Sequence, residues 1–295
     1  MNWSGQDEAL GCTRRRLAQI LIAAVAGSGL LAAPTAQASV TVGSPLTGPF
    51  FSTSTCGDPG GCTRANTALG DPGARVTSPV SGQVVRWRIA GNYGGAFKLR
   101  VLRPANGGQY RGVGTSAPVT ATGTATLTIP TNLPVEPGDL IGVDYGDGKH
   151  LSSAMVTGSA FGQWLPALAD GDTAPPTPFA SNLELLYNAD VEPASAFTVG
   201  KPKLNKKRGT AMLPLTVPNP GAVNFTGKGV AKGTISVSAP ETVNVPVRAI
   251  GRPKTRKLNR DGEVKVTPII TYAPTGGAVG NVHTQKPKMV LKKKL

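Results

Sequence analysis

VTSPVSGQVVRWRIAGNYGGAFKLRV, residues Val76–Val101, reads as two strands. Apolar residues alternate with arginine or lysine around Val85-Arg86-Trp87-Arg88-Ile89 and again around Phe97-Lys98-Leu99-Arg100-Val101. That period of two is the mark of a strand with one face buried and one in water. Trp87 is the largest inward-facing side chain, and the Gly/Asn run Ala90–Gly95 reads as the loop between the two strands, with Tyr93 at its crown.

On either side the same pattern recurs, at Gln109–Ser116, Thr124–Pro130, Leu140–Tyr145, Ser153–Thr157 and Leu183–Asn188. With the lead-in from Val40 this gives about eight strands, the count of a jelly-roll-like sandwich. Ala160–Phe179, rich in proline and small residues, reads as a long loop or flap. The chain of 295 residues carries 38 Gly and 26 Pro, few aromatics and no long amphipathic helical run, so the expected class is all-β: two antiparallel β-sandwich domains.

The expected domains are a signal peptide over 1–38, a jelly-roll-like sandwich over 39–192, a linker over 193–196 and an immunoglobulin-like sandwich over 197–295. Arg14-Arg15-Arg16, the apolar run Leu17–Ala33 and the small-residue site Ala36-Gln37-Ala38 form a helical secretory signal, cut before Ser39. The arginines fit the positive n-region of a Sec signal and a twin-arginine motif equally. No second hydrophobic segment follows, so no transmembrane anchor is expected after processing, and the product is expected to be secreted, free or held at the cell wall. Cys56 and Cys62 then remain, and an even pair in an exported chain reads as a disulfide closing Cys56-Gly-Asp-Pro-Gly-Gly-Cys62.

In 197–295, seven alternating runs (Phe197–Leu204, Thr210–Val217, Gly221–Val230, Thr234–Ser238, Thr242–Ile250, Glu263–Tyr272 and Val282–Leu291) suggest an immunoglobulin-like plan without its Cys–Trp–Cys core. Charge divides sharply between the two bodies. Residues 39–196 hold 9 Lys+Arg against 11 Asp+Glu, a net of −2; residues 197–295 hold 19 against 3, a net of +16. The signal's 3 against 2 completes the whole-chain +15.

The run SPVSGQVVRWRIAG…FKLRVLRP…LPVEPGDLIGVD…ELLYNADVEP resembles an uncharacterised β-sandwich domain of exported actinobacterial proteins, over most of residues 40–193. The lysine-rich remainder is similar to a C-terminal β module found on such proteins. The resemblance implies no enzymatic activity. In that family an Asp-rich, calcium-binding stretch often follows; here Ala194-Ser195-Ala196 follow instead.

The candidate sites follow from charge. Lys201, Lys203, Lys206, Lys207 and Arg208 form one basic cluster, Arg252, Lys254, Arg256, Lys257 and Arg260 a second, and Lys286, Lys288, Lys292, Lys293 and Lys294 a third. Gathered on one face they would hold an anionic cell-envelope polymer or an acidic polysaccharide; scattered, they would serve solubility and edge protection. Phe197, Phe225 and Tyr272 are the only aromatics among them, too few to stack bases, so no specific nucleic acid is expected.

Asp139, Asp144 and Asp147, in a Gly-rich loop with His150, are calcium candidates, although Asp-Gly turns capping a hairpin explain them as well. A Ser/His/Asp set can be drawn from Asp144, His150 and Ser152 or Ser153 for a hydrolase. Phe161, Trp164 and Tyr93 suggest a carbohydrate platform on the first sandwich. None of the common catalytic motifs occurs, and the expectation is a non-catalytic binding protein with no cofactor and an oligomeric state that the sequence does not specify.

Overall fold

The computed structural model describes residues 39–146 and 148–295, so the expected signal, with Ala36 and Ala38, and Asp147 lie outside the described residues. The fold is all-β with one short helix. Among the described residues no helix is long and apolar enough to cross a membrane.

In the first module, Val40–Gly43, Tyr187–Pro193, Gly82–Ile89 and Leu127–Val135 lie side by side in that order as one antiparallel sheet. The facing sheet runs Thr173–Ala174, Tyr110–Thr115, Tyr93–Pro104, Leu140–Tyr145, Cys62–Ala68, His150–Trp164 and Thr177–Leu185, with Phe50–Thr55 and Val119–Gly123 added alongside. Trp87 occupies the middle of the first sheet between Ala189 and Ile129, fully buried, while Arg86 and Arg88 take the outer face. Its indole N–H has no partner among the described residues. The core around it includes Ile89, Phe97, Leu99, Val143 and Tyr187, all fully buried. Burial of each such side chain contributes on the order of 1.5–3 kcal/mol.

The stretch Val76–Val101 does form two strands, but they are not a hairpin. Ala90–Asn92 carries the chain from one sheet to the other, and Tyr93 opens the next strand buried in the core instead of crowning a loop. The expected flap is also corrected. Ala160–Trp164 completes a 15-residue strand, and Thr177 begins the strand that pairs with it. The irregularity between Met155 and Ala160 bends this ribbon. Cys56 and Cys62 form the expected disulfide, with Cα atoms 5.8 Å apart.

The second module contains a sheet in which Thr210–Val217 is flanked by Thr198–Val199 and Lys203–Asn205 on one side and Glu241–Arg248 on the other. A second sheet runs Gly233–Val237, Gly221–Thr226, Ile269–Pro274 and His283–Gln285, and Glu263–Val266 pairs with Met289–Lys292. Leu213, Leu215, Val223, Val245, Ile270 and Tyr272 fill the space between. The cationic run after Ile250, which has no strand alternation, forms a helix, Arg252–Asp261, that the sequence pattern does not announce.

The stretch expected to be a linker is held in place. Ala194 N–H bonds the Ser81 carbonyl at 2.8 Å. Fully buried Asn219 accepts from Ser81 N–H at 2.8 Å and donates to the Ser81 and Ala194 carbonyls, both at 2.9 Å. Asn281 donates to the Pro193 carbonyl at 2.7 Å and to the Glu192 carboxylate. A buried amide with every group satisfied fixes the relative orientation of the segments it joins.

Candidate functional site

Register shows which end of the second module carries its charge. Thr210–Val217 starts with Thr210 opposite Arg248 and ends with Val217 opposite Glu241, two residues before the junction residue Asn219. The segments at the junction end, 217–222 and 273–282, contain no lysine or arginine. At the far end, the turn Lys206-Lys207-Arg208-Gly209, the loop with Lys228 and Lys232, the helix and the segment Lys292–Leu295 meet.

The bonds that join them are specific. Lys294 N–H donates to the Lys206 carbonyl at 2.8 Å, and Lys293 N–H donates to that of Gly262 at 2.7 Å. Ile250 N–H donates to the Gly229 carbonyl at 2.9 Å, and Lys254 Nζ reaches the Lys265 carbonyl at 2.7 Å. Of the module's 19 Lys+Arg, only Lys201, Lys203, Lys286 and Lys288 lie away from this end. Lys203 opens the edge strand that leads to it, Lys201 lies just before that strand, and the last two are exposed between the final strands. The only acidic side chains of this cap among the described residues are Asp261 and Glu263, beside a notch of about 380 Å³ bordered by Lys206 and Lys292–Leu295.

The helix is seated by one side chain. Pro253 starts it and Gly262, left-handed at φ 72°, stops it with its N–H on the Leu258 carbonyl. Leu258 alone is buried, and it lies over Gly209, where a Cβ would come within 2.8 Å of it. At 100° per residue Arg252, Arg256 and Arg260 fall on the face opposite Leu258. Like charges four apart cost a helix roughly 0.2–0.5 kcal/mol per pair, so this ridge forms against its own repulsion. Asp261 relieves part of it. Arg260 Nε lies 2.5 Å and Lys257 Nζ 2.6 Å from its carboxylate, and hydrogen bonds from Arg260 and then Lys257 hold the Asp261 carboxyl well below the usual range. Arg252, Arg256, Lys206, Lys207 and Arg208 are exposed, with side chains that have no protein partner among the described residues.

The remaining candidates are dispersed. Asp139 accepts from Arg103 and from Glu136 N–H, all at 2.8–2.9 Å. Asp144 accepts from Thr63 at 2.6 Å and from the Arg100 guanidinium at 2.6–3.0 Å. Each calcium candidate that is described is therefore occupied by a cation of the chain, and the two carboxylates serve different arginines. His150 Nε2 lies 3.2 Å from Asn92 Oδ1, Ser152 donates to the Asn92 carbonyl and Ser153 bonds Ser52. The Asp144–His150–Ser pairing drawn from sequence does not assemble. Phe161, Trp164 and Tyr93 are all buried, Trp164 donating to the Ala174 carbonyl, so they offer no platform. Arg103, with Glu136, Glu192 and Asn281, instead borders an open cleft of about 580 Å³ between the modules.

Lys228, Lys232, Arg248 and Lys265 belong to the cap, and sequence reasoning misses them because each stands alone in the chain. A buried cation in the first module escapes it as well. Arg64 is buried without a carboxylate, bonding Gln163 at 2.9 Å, the Tyr145 hydroxyl at 3.0 Å, the Thr55 carbonyl at 2.6 Å and Ser54, with Phe179 stacked at 4.2 Å. Burial lowers its pKa. Glu184, fully buried, accepts from Ser44 at 2.6 Å and Ser159 at 3.2 Å. Compared with known proteins, the chain matches no family model and no curated protein sequence.

Proposed function

We propose that this chain is a non-catalytic binding protein that works outside the cell membrane and attaches, through the basic cap of its second module, to an anionic polymer of the cell envelope or an acidic polysaccharide. The observation that carries this reading is the crowding of 15 of the module's 19 cations at the end remote from the first module, with two acidic side chains among them. Several are exposed and unpaired among the described residues, and a surface of one sign attracts polyanions and gains by releasing their counterions. The disulfide fits an oxidising compartment.

Retention of the full chain on purified anionic envelope polymer, titrated with salt, tests it. Binding is expected at low ionic strength and lost by about half-molar salt, where the screening length falls to a few ångströms. Lys206→Gln/Lys207→Gln/Arg208→Gln should flatten the salt dependence, by about 0.7 in slope for each phosphate no longer neutralised. Lys286→Gln/Lys288→Gln, away from the cap, should bind nearly as wild type. Equal weakening in both variants would leave only a diffuse positive charge.

A further inference from the structure

All five arginines of the second module, Arg208, Arg248, Arg252, Arg256 and Arg260, lie in the cap, whereas its 14 lysines extend beyond it. Three of the five form the helix ridge opposite Leu258. Solubility does not call for this choice, since lysine supplies the same charge. Arginine differs in its planar fork, which meets phosphate or carboxylate oxygens with two parallel hydrogen bonds where an ammonium meets them as a point charge.

We infer that the helix ridge Arg252–Arg256–Arg260 binds a polyphosphodiester with short polyol units, successive phosphates docking on successive arginines. This rests on the reading of the cap as a polyanion site. Residues four apart on a helix are about 6 Å apart along its axis. Two phosphorus atoms joined through a three-carbon polyol are separated by six bonds, about 7 Å when extended, as six backbone bonds span two residues of extended chain. The two repeats match within the swing of an arginine side chain. Arg252 and Arg256 present open forks, and Arg260 shares its own with Asp261. Among the described residues the cap exposes no aromatic ring on which bases would stack, which favours a polyol phosphate over a nucleic acid.

The test uses the full chain and three probes of equal charge number: poly(glycerol phosphate), poly-γ-glutamate and a single-stranded oligonucleotide, with affinities measured at one salt concentration. Wild type should bind poly(glycerol phosphate) severalfold more tightly than the polycarboxylate. Arg252→Lys/Arg256→Lys/Arg260→Lys keeps the charge and the helix propensity. It should bind poly(glycerol phosphate) roughly tenfold more weakly than wild type, because an ammonium meets each phosphate as a point charge. A wild type indifferent between the two, or a lysine variant that binds poly(glycerol phosphate) as wild type does, overturns the ridge and leaves the cap reading standing. Tighter binding of the oligonucleotide overturns the polyol assignment. Binding of none of the three overturns the cap reading itself, and this inference with it.

Discussion

Glu184 and Asp190 lie six positions apart and are driven in opposite directions. Burial raises the Glu184 carboxyl; the Ser44 and Ser159 hydroxyls pull it back in part, and the negative charge of Asp71 pushes it further up. Burial also acts on Asp190, but hydrogen bonds from Arg88, Arg86 and Thr41 outweigh it and hold that carboxyl down. A raised carboxyl contributes stability below its unfolded value, about 4.3, and loses it as pH rises through the folded value. A depressed one contributes above about 3.9 and loses it as pH falls. Glu184→Gln should therefore gain on wild type as pH climbs from about 4 towards 8, and Asp190→Asn should close the gap to wild type as pH falls from about 5 towards 2. Chemical denaturation at stepped pH checks both, and parallel curves for the two variants would contradict the assignment. Trp87 is legible in the sequence because alternation and size leave one place for it. Glu184 is not, since spacing along a strand does not tell which carboxylate turns inward to meet two serines from distant segments.

Among elements, the bent ribbon His150–Trp164 with Thr177–Leu185 depends on Arg64, whose guanidinium touches Phe50–Thr55, Leu140–Tyr145 and both ribbon strands. Arg64→Ala would open a cavity and strand several buried acceptors, at a cost of about 2–4 kcal/mol. Urea unfolding should show this as a lower midpoint, and a change under about 1 kcal/mol would mean that the stacked rings hold the bend alone. The ribbon reads as a flap in sequence because Pro166, Pro175, Pro176 and Pro178 signal turns, while Phe161 and Trp164, which belong to the core, fall among small residues without alternation. The helix is hidden for the opposite reason. Its start and stop are present in Pro253 and Gly262, but a single buried apolar residue, Leu258, gives no periodicity to find, and the cationic run resembles a solvated loop. Strands with regular alternation, such as Thr210–Val217, lie where the pattern puts them.

For the molecule as a whole, the junction matters as much as the cap. Asn219→Ala would leave Ser81 N–H and the Ser81 and Ala194 carbonyls without this partner, at roughly 1–3 kcal/mol for each group kept from water. Calorimetry should show wild type melting in one cooperative transition and this variant in two, whereas a single shifted peak would place the coupling elsewhere. Composition announces the two bodies and the charge on each; that clusters far apart in the chain gather at one end depends on strand pairing, which no local pattern encodes. A net of −2 in residues 39–196 and +16 in 197–295, fixed across a stiff joint, makes the protein a permanent electric dipole. Near a negatively charged wall such a body feels a torque before it touches anything, so it should swivel and land hind end first, leaving its front sandwich facing the medium in every copy.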